Sequence, residues 1–75
     1  MDLTFGQKAV GVSFNPSKNE SVDKIKQQFA DIIDTLNDMR NDPQMGDGVK
    51  RHCSQAITEC ETAQMRAVKA LTWVE

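Results

Sequence analysis

Apolar residues recur at three- and four-residue steps over two long segments of the chain, which is typical of amphipathic helices. In the first segment these residues are Val22, Ile25, Phe29, Ile32, Ile33, Leu36 and Met39. The pattern predicts a helix of about twenty residues that begins after a turn at Pro16 and a capping box at residues 17–20. The helix is expected to end near residues 41–43, because the residue before a proline avoids the helical conformation.

The second segment carries small residues in alternating steps of four and three. They are Val49, Cys53, Ala56, Cys60, Ala63, Ala67, Ala70 and Val74. This is a heptad seam that the backbone of another helix can approach closely. The larger Ile57, Val68 and Leu71 lie on a neighbouring stripe, so this helix is apolar in more than one direction.

A two-helix hairpin would leave part of this broad apolar surface in water, which favours self-association. A short segment, residues 4–10, predicts a marginal helix: Thr4 and Gln7 have the spacing of a capping box, and Gly6 weakens the helix. The alternative to self-association is a three-helix monomer in which this short helix covers the extra face. The predicted fold is all-α, with one domain over residues 1–75: a short N-terminal helix, a long antiparallel helical hairpin, and assembly as a homo-oligomer.

Composition supports a small folded protein, since 39% of the 75 residues are hydrophobic and 27% are charged. No apolar run approaches the roughly 20 residues that cross a bilayer, and the first residues do not resemble a signal peptide. The sequence therefore predicts a soluble cytosolic protein. Cys53 and Cys60 lie about 10 Å apart along one helix, too far to form a disulfide, and are expected to be buried thiols.

Charge is distributed unevenly along the predicted hairpin. Residues 1–29 and 62–75, which form its open end, carry a net charge of +2, and residues 30–61 carry −4. The start of the first long helix, with Lys24 and Lys26 nearby, is therefore a candidate phosphate site. Lys26 is expected to be exposed there.

Catalytic and metal-binding patterns are weak. His52 and Cys53 are neighbours on a helix and point about 100° apart, so they do not form a nucleophile pair. These residues and Cys60 lack the spacing of zinc ligands. The loop Phe14-Asn15-Pro16-Ser17 has two interpretations, a hydrophobic staple with a turn and cap, or a platform on which a base stacks.

Three motifs together resemble the phage anti-CBASS protein 2 family, whose helical hairpin domain is shared with anti-Thoeris sponge proteins. The motifs are FGQKAVG at residues 5–11, FNPS at residues 14–17 and TAQMRAVKALTW at residues 62–73. The resemblance implies a homohexamer in the host cytoplasm that sequesters cyclic oligonucleotide second messengers. It implies neither catalysis nor a cofactor, and neither a membrane nor a DNA or RNA polymer as partner.

The resemblance also implies two binding sites. A cyclic dinucleotide would contact Phe14, Asn15, Ser17 and Lys26, with Phe14 stacking on a base and Lys26 contacting a base or phosphate. A second anion site, for a cyclic trinucleotide, would be formed by Thr62, Arg66 and Lys69 at a symmetry axis. Many relatives are expected to have tryptophan where this chain has Arg66, which bears on whether the second site is retained.

The alternative function is a small helical adaptor or inhibitor that binds a protein through its exposed apolar helix face. An enzyme that degrades the messenger is a third alternative, disfavoured because no general base and nucleophile converge in the sequence.

Overall fold

The computed structural model describes residues 2–16 and 18–75, and the regular secondary structure within them is helical. Helix α1 spans Phe5–Val10, α2 spans Glu20–Arg40 and α3 spans Asp47–Leu71. Helices α2 and α3 form a long hairpin, and α1 packs mainly against α2. The predicted all-α hairpin with a short preceding helix is therefore confirmed. None of the helices in the described residues is long and apolar enough to span a membrane.

Local sequence signals explain the ends of the helices. The predicted capping box of α1 is present: Gln7 N donates to Thr4 Oγ1 at 3.1 Å, and Thr4 N donates to Gln7 Oε1 at 2.9 Å. The expected capping box before α2 is wrong, because the N-cap is Asn19, whose side chain accepts a hydrogen bond from Ser21 N at 2.8 Å. Helix α2 ends at Arg40, within a residue of the predicted boundary.

The hydrophobic core lies where α1 and α3 pack against the middle of α2. Its buried members are Val10, Ala30, Ile33 and Ile57. Phe29, Leu36 and Cys60 are among the partly buried side chains around them. The core is small, as expected for a chain of this length.

Gly6 lets α1 approach α2 closely. A Cβ atom at this position would lie 2.1 Å from the backbone oxygen of Ala30. The Gly6 N–H donates to Asp34 Oδ1 at 2.7 Å, which ties the start of α1 to α2. Gly6 therefore weakens the intrinsic helix propensity of α1 but permits the contact that holds α1 in place.

The buried face of α2 is rotated relative to the predicted stripe. The buried positions are Val22, Lys26, Ala30 and Ile33. Ile32 and Met39, expected to face the core, are 51% and 37% exposed. The physical reason is that α2 packs against α1 and the loop after it as well as against α3. Gly6 of α1 lies against Ala30, and the Lys26 ammonium donates to Gly11 O and Phe14 O.

The buried face of α3 includes only part of the predicted small-residue seam: Cys53 is buried, and Ala56, Cys60 and Ala67 are partly buried. Ile57 and Gln64 are buried against the rest of the chain, whereas Ala63 and Ala70 are exposed. Burying the larger Ile57 removes more apolar surface from water than burying an alanine, so the neighbouring stripe packs against α2. Part of the seam remains open on the surface of the chain.

The chain forms a thin slab, with extents of 46 × 31 × 12 Å. Several large apolar side chains on or after α3 are exposed, among them Met65 at 60%, Leu71 at 43% and Trp73 at 59%. Helix α1 lies mainly on α2 and has few contacts with α3. It therefore does not cover these side chains as the three-helix alternative requires.

Candidate functional site

Two adjacent pockets lie at the open end of the hairpin, beside the connection between α1 and α2. The first, here called the loop pocket, has a volume of about 310 Å³. The second, the α1 pocket, has a volume of about 400 Å³. Phe14, Lys26 and Val68 line both pockets, so the Phe14–Lys26 pair stands between them.

The ring of Phe14 is held outward by a tight turn. Phe14 N donates to Gly11 O at 2.9 Å, and Gly11 adopts a positive φ of 64° that favours glycine at the end of α1. The Phe14 side chain is 71% exposed. An exposed aromatic ring on a fixed backbone is suited to stacking against a planar ligand.

Lys26 is buried rather than exposed, which corrects the expectation from the sequence. Its side chain is 5% exposed, and its ammonium donates to Gly11 O at 3.0 Å and to Phe14 O. The ammonium also lies 5.5 Å from the centroid of the Phe14 ring, within range of a cation–π contact. Lys26 therefore holds the loop in place as well as lining both pockets.

The positive charge of Lys26 has no carboxylate partner among the described residues. Backbone carbonyls and a ring face satisfy the hydrogen bonds of an ammonium but do not neutralise its charge. An ammonium can donate three hydrogen bonds, and two of those of Lys26 go to carbonyls. A buried charge of this kind beside a pocket favours an anion.

Asn15 fastens the same loop to the start of α2. Its amide nitrogen donates to Asn19 O and to Asp23 Oδ1, both at 2.8 Å, and its amide oxygen accepts from Asn19 N at 3.3 Å. Asn15 also lines the loop pocket. Both amide N–H groups are used inside the protein, so the structure places Asn15 as a positioning residue beside the pocket.

The structure brings three of the four residues expected to contact a dinucleotide, Phe14, Asn15 and Lys26, to one pocket. The fourth, Ser17, lies outside the described residues. Contact of each residue with a ligand stays a prediction.

The residues expected to form a second anion site line one groove of about 210 Å³ on α3. They are Thr62, Arg66 and Lys69, and Met65 lies among them. Arg66 and Lys69 are exposed, and the ammonium of Lys69 lies 5.6 Å from the centroid of Trp73. Spacings of three, four and seven residues place these side chains on one helix face. The three side chains share one groove, and anion binding there stays a prediction.

Sequence reasoning missed the contribution of α3 to the first site. Val68 and Thr72 line the loop pocket, and Gln64 and Met65 line the α1 pocket. A signal existed for Gln64, because it lies seven residues after Ile57 and four after Cys60, on the stripe that faces α2. A polar residue on a core-facing stripe indicates a specific role.

In the part of the chain that the structure describes, no three His, Cys, Asp or Glu side chains gather as metal ligands. Both Cys53 and Cys60 are free thiols; Cys53 is buried and Cys60 partly buried.

Comparison with known proteins identifies the family. The model of the Acb2/Tad1 hairpin domain matches residues 7–72, nearly the whole chain. This is a family of sponge-type binding domains that act against host defence. No curated protein and no solved structure matches the chain at a significant level.

Proposed function

Because the chain belongs to the Acb2/Tad1 hairpin domain family, we propose that it is a phage sponge that sequesters cyclic oligonucleotides in the host cytoplasm. It binds cyclic dinucleotides such as cyclic GMP-AMP without cleaving them and so keeps CBASS effectors inactive. The observation that carries the proposal is the Phe14–Lys26 pair. The exposed ring of Phe14 lies beside the buried ammonium of Lys26, and no carboxylate among the described residues pairs with that ammonium.

A cyclic dinucleotide offers what this pair requires, two bases with π faces and two phosphates with negative charge. In the proposed complex a base stacks on Phe14, which contributes roughly 1 to 3 kcal/mol of binding free energy. The ammonium of Lys26 attracts the phosphates from beneath the ring. Because the loop is already fixed by Asn15 and Lys26, little ordering of the protein opposes binding.

Assembly is the second part of the proposal. A slab 12 Å thick with exposed Met65, Leu71 and Trp73 has apolar surface for a further copy to cover. We propose a homo-oligomer, a homohexamer as the resemblance to the sponge family implies. Around a symmetry axis, copies of Arg66 and Lys69 would meet and form the second site, suited to a cyclic trinucleotide.

The two-site proposal predicts different effects for Phe14→Ala and Arg66→Ala. Phe14→Ala is expected to weaken cyclic dinucleotide binding roughly 5- to 150-fold, the equivalent of one lost stacking contact, and to spare the trinucleotide. Arg66→Ala is expected to abolish trinucleotide binding, because every protomer loses a charged donor, and to spare the dinucleotide. Calorimetric titration of both variants with both ligands measures these effects.

Lys18→Ala serves as a control. Lys18 is an exposed cation that lines neither the loop pocket, nor the α1 pocket, nor the groove of Arg66. Equal loss of both ligands in both folded variants would indicate one shared site. A wild-type protein that binds neither ligand would contradict the sponge and favour the protein-binding adaptor, which the exposed apolar face of α3 would suit. Intact nucleotide recovered after denaturation of the complex distinguishes a sponge from a degrading enzyme.

The proposed oligomer predicts an effect of Ala63→Leu on assembly. Ala63 is exposed in the protomer, so a leucine has room there unless another copy packs against the open part of the seam. If another copy packs against Ala63, the larger leucine side chain overpacks the interface, which is expected to cost about 1 to 3 kcal/mol. Sedimentation velocity should then detect smaller species for Ala63→Leu and not for Ala63→Ser, which keeps the residue small. A wild-type protein that is monomeric at micromolar concentration would contradict the proposal.

A further inference from the structure

The side chain of Gln64 is a buried polar group that the fold leaves without a partner. It is 5% exposed, and its amide forms no hydrogen bond with any described residue. Buried amides in native proteins are normally bonded to protein, water or ligand, because burying an unbonded amide is unfavourable. Within the described residues no side-chain polar atom is both sealed from solvent and unbonded. The amide of Gln64 therefore reaches the α1 pocket, which it lines.

The α1 pocket combines an aromatic ring, two ammonium groups and the amide of Gln64. Phe14 and Lys26 form the wall that the α1 pocket shares with the loop pocket, and the exposed Lys8 lies at the rim. A planar ligand that stacks on Phe14 from within the α1 pocket would have one polar edge directed into this pocket, which Gln64 also lines. Among the described residues that line the α1 pocket, Gln64 has the one uncharged side chain that can both donate and accept hydrogen bonds.

We propose that Gln64 selects the nucleobase and that the α1 pocket takes adenine, an inference that rests on the proposed binding of cyclic nucleotides. A glutamine amide has a donor and an acceptor side by side in one plane. Adenine has the matching pair, its N6 amino group and the ring nitrogen N7, and the two can form two parallel hydrogen bonds. On the same edge guanine has two acceptors, O6 and N7, so one of them would face the amide oxygen.

Substitution of Gln64 by methionine separates base selection from folding. Methionine has a similar length, and the replaced amide makes no hydrogen bond within the described protein. The thermal midpoint of the free Gln64→Met variant should therefore equal or exceed that of the wild type. By calorimetry, its affinity for cyclic di-AMP should fall about tenfold, the size of a lost bidentate contact to a base, while its affinity for cyclic di-GMP stays within about twofold.

Gln55→Met is the matched control. It makes the same chemical change on α3 at an exposed position that lines neither pocket beside Phe14. It should leave both affinities and the thermal midpoint unchanged.

Failure of the inference differs from failure of the proposed function. A wild-type protein that binds no cyclic dinucleotide contradicts the sponge itself. A wild-type protein that binds cyclic di-GMP as tightly as cyclic di-AMP, or a Gln64→Met variant that weakens both equally or neither, overturns adenine selection and leaves the sponge intact. A lower thermal midpoint of free Gln64→Met would assign the amide to folding and would also overturn the inference.

Discussion

Replacing Gly6 with alanine is expected to lower the free energy of unfolding by about 3 kcal/mol, the upper range for overpacking a closely packed site. The new Cβ would lie 2.1 Å from Ala30 O and 2.9 Å from Ala30 C. Both atoms belong to the backbone of α2, which cannot move aside as a flexible side chain would. Helix α1 must therefore shift away from α2, and the hydrogen bond from Gly6 N to Asp34 is lost or lengthened.

The loss would be a large share of the total, because small domains are stable by roughly 5 to 15 kcal/mol. Urea unfolding followed by circular dichroism measures the change. Because α1 leads directly into the loop that carries Phe14, the proposed binding of cyclic dinucleotides should weaken together with the stability.

Gly48→Ala is the matched control for this prediction. Gly48 lies in the first turn of α3, and a Cβ there would meet no atom within 4 Å. Alanine has the higher helix propensity, so this variant should gain up to about 1 kcal/mol. Equal unfolding midpoints for Gly6→Ala and wild type would show that α1 does not pack against α2 at Gly6.

Local signals in the sequence were sufficient to predict the helices. The capping box of Thr4 and Gln7 marks the start of α1, and the periodicity of α2 with Pro43 beyond it marks the end of α2. Such signals involve residues within a few positions of each other, so one sequence contains them in full. The hairpin follows, because two long amphipathic helices joined by a short turn pack against each other.

The faces of the helices depended on contacts that periodicity does not encode. The regular spacing of the alanines on α3 predicted a seam, but Ile57 occupies the core and Ala63 remains exposed. On α2, the close contact between Gly6 and Ala30 sets which side is buried. Each outcome depends on which helix packs where, and therefore on residues distant in sequence.

Only part of the candidate site could be predicted, because the rest depends on contacts between residues distant in sequence. Phe14, Asn15 and Lys26 were identified from their residue types and from the resemblance to the sponge family, and they lie at one pocket. Gln64 lies far from these residues in the sequence, on α3, and the packing of α3 brings it to the adjoining α1 pocket. The burial of Lys26 depends on the carbonyls of Gly11 and Phe14, whose position no local pattern gives.

Lys26→Glu is expected to lower the free energy of unfolding by about 3 to 5 kcal/mol, the range for leaving a charge uncompensated in a protein interior. The new carboxylate would be buried where the ammonium of Lys26 now donates to Gly11 O and Phe14 O. A carboxylate has no proton to donate to these carbonyls, and its charge would be repelled by their oxygens. The loop that carries Phe14 would be released, and the proposed dinucleotide binding would be lost with it. Thermal unfolding of the free variant measures the loss of stability.

Two further variants separate the charge of Lys26 from its burial. Lys26→Met places an apolar side chain of similar length there and removes the two donated hydrogen bonds, so it should lower the free energy of unfolding by about 1.5 to 3 kcal/mol. Lys24→Glu makes the same charge reversal two residues earlier at an exposed position and should leave the thermal midpoint unchanged. A Lys26→Glu variant as stable as Lys24→Glu would show that the ammonium does not hold the loop. We expect stability to decrease in the order wild type, Lys26→Met, Lys26→Glu. Methionine removes the two donated hydrogen bonds, and glutamate in addition places a negative charge beside the carbonyl oxygens of Gly11 and Phe14.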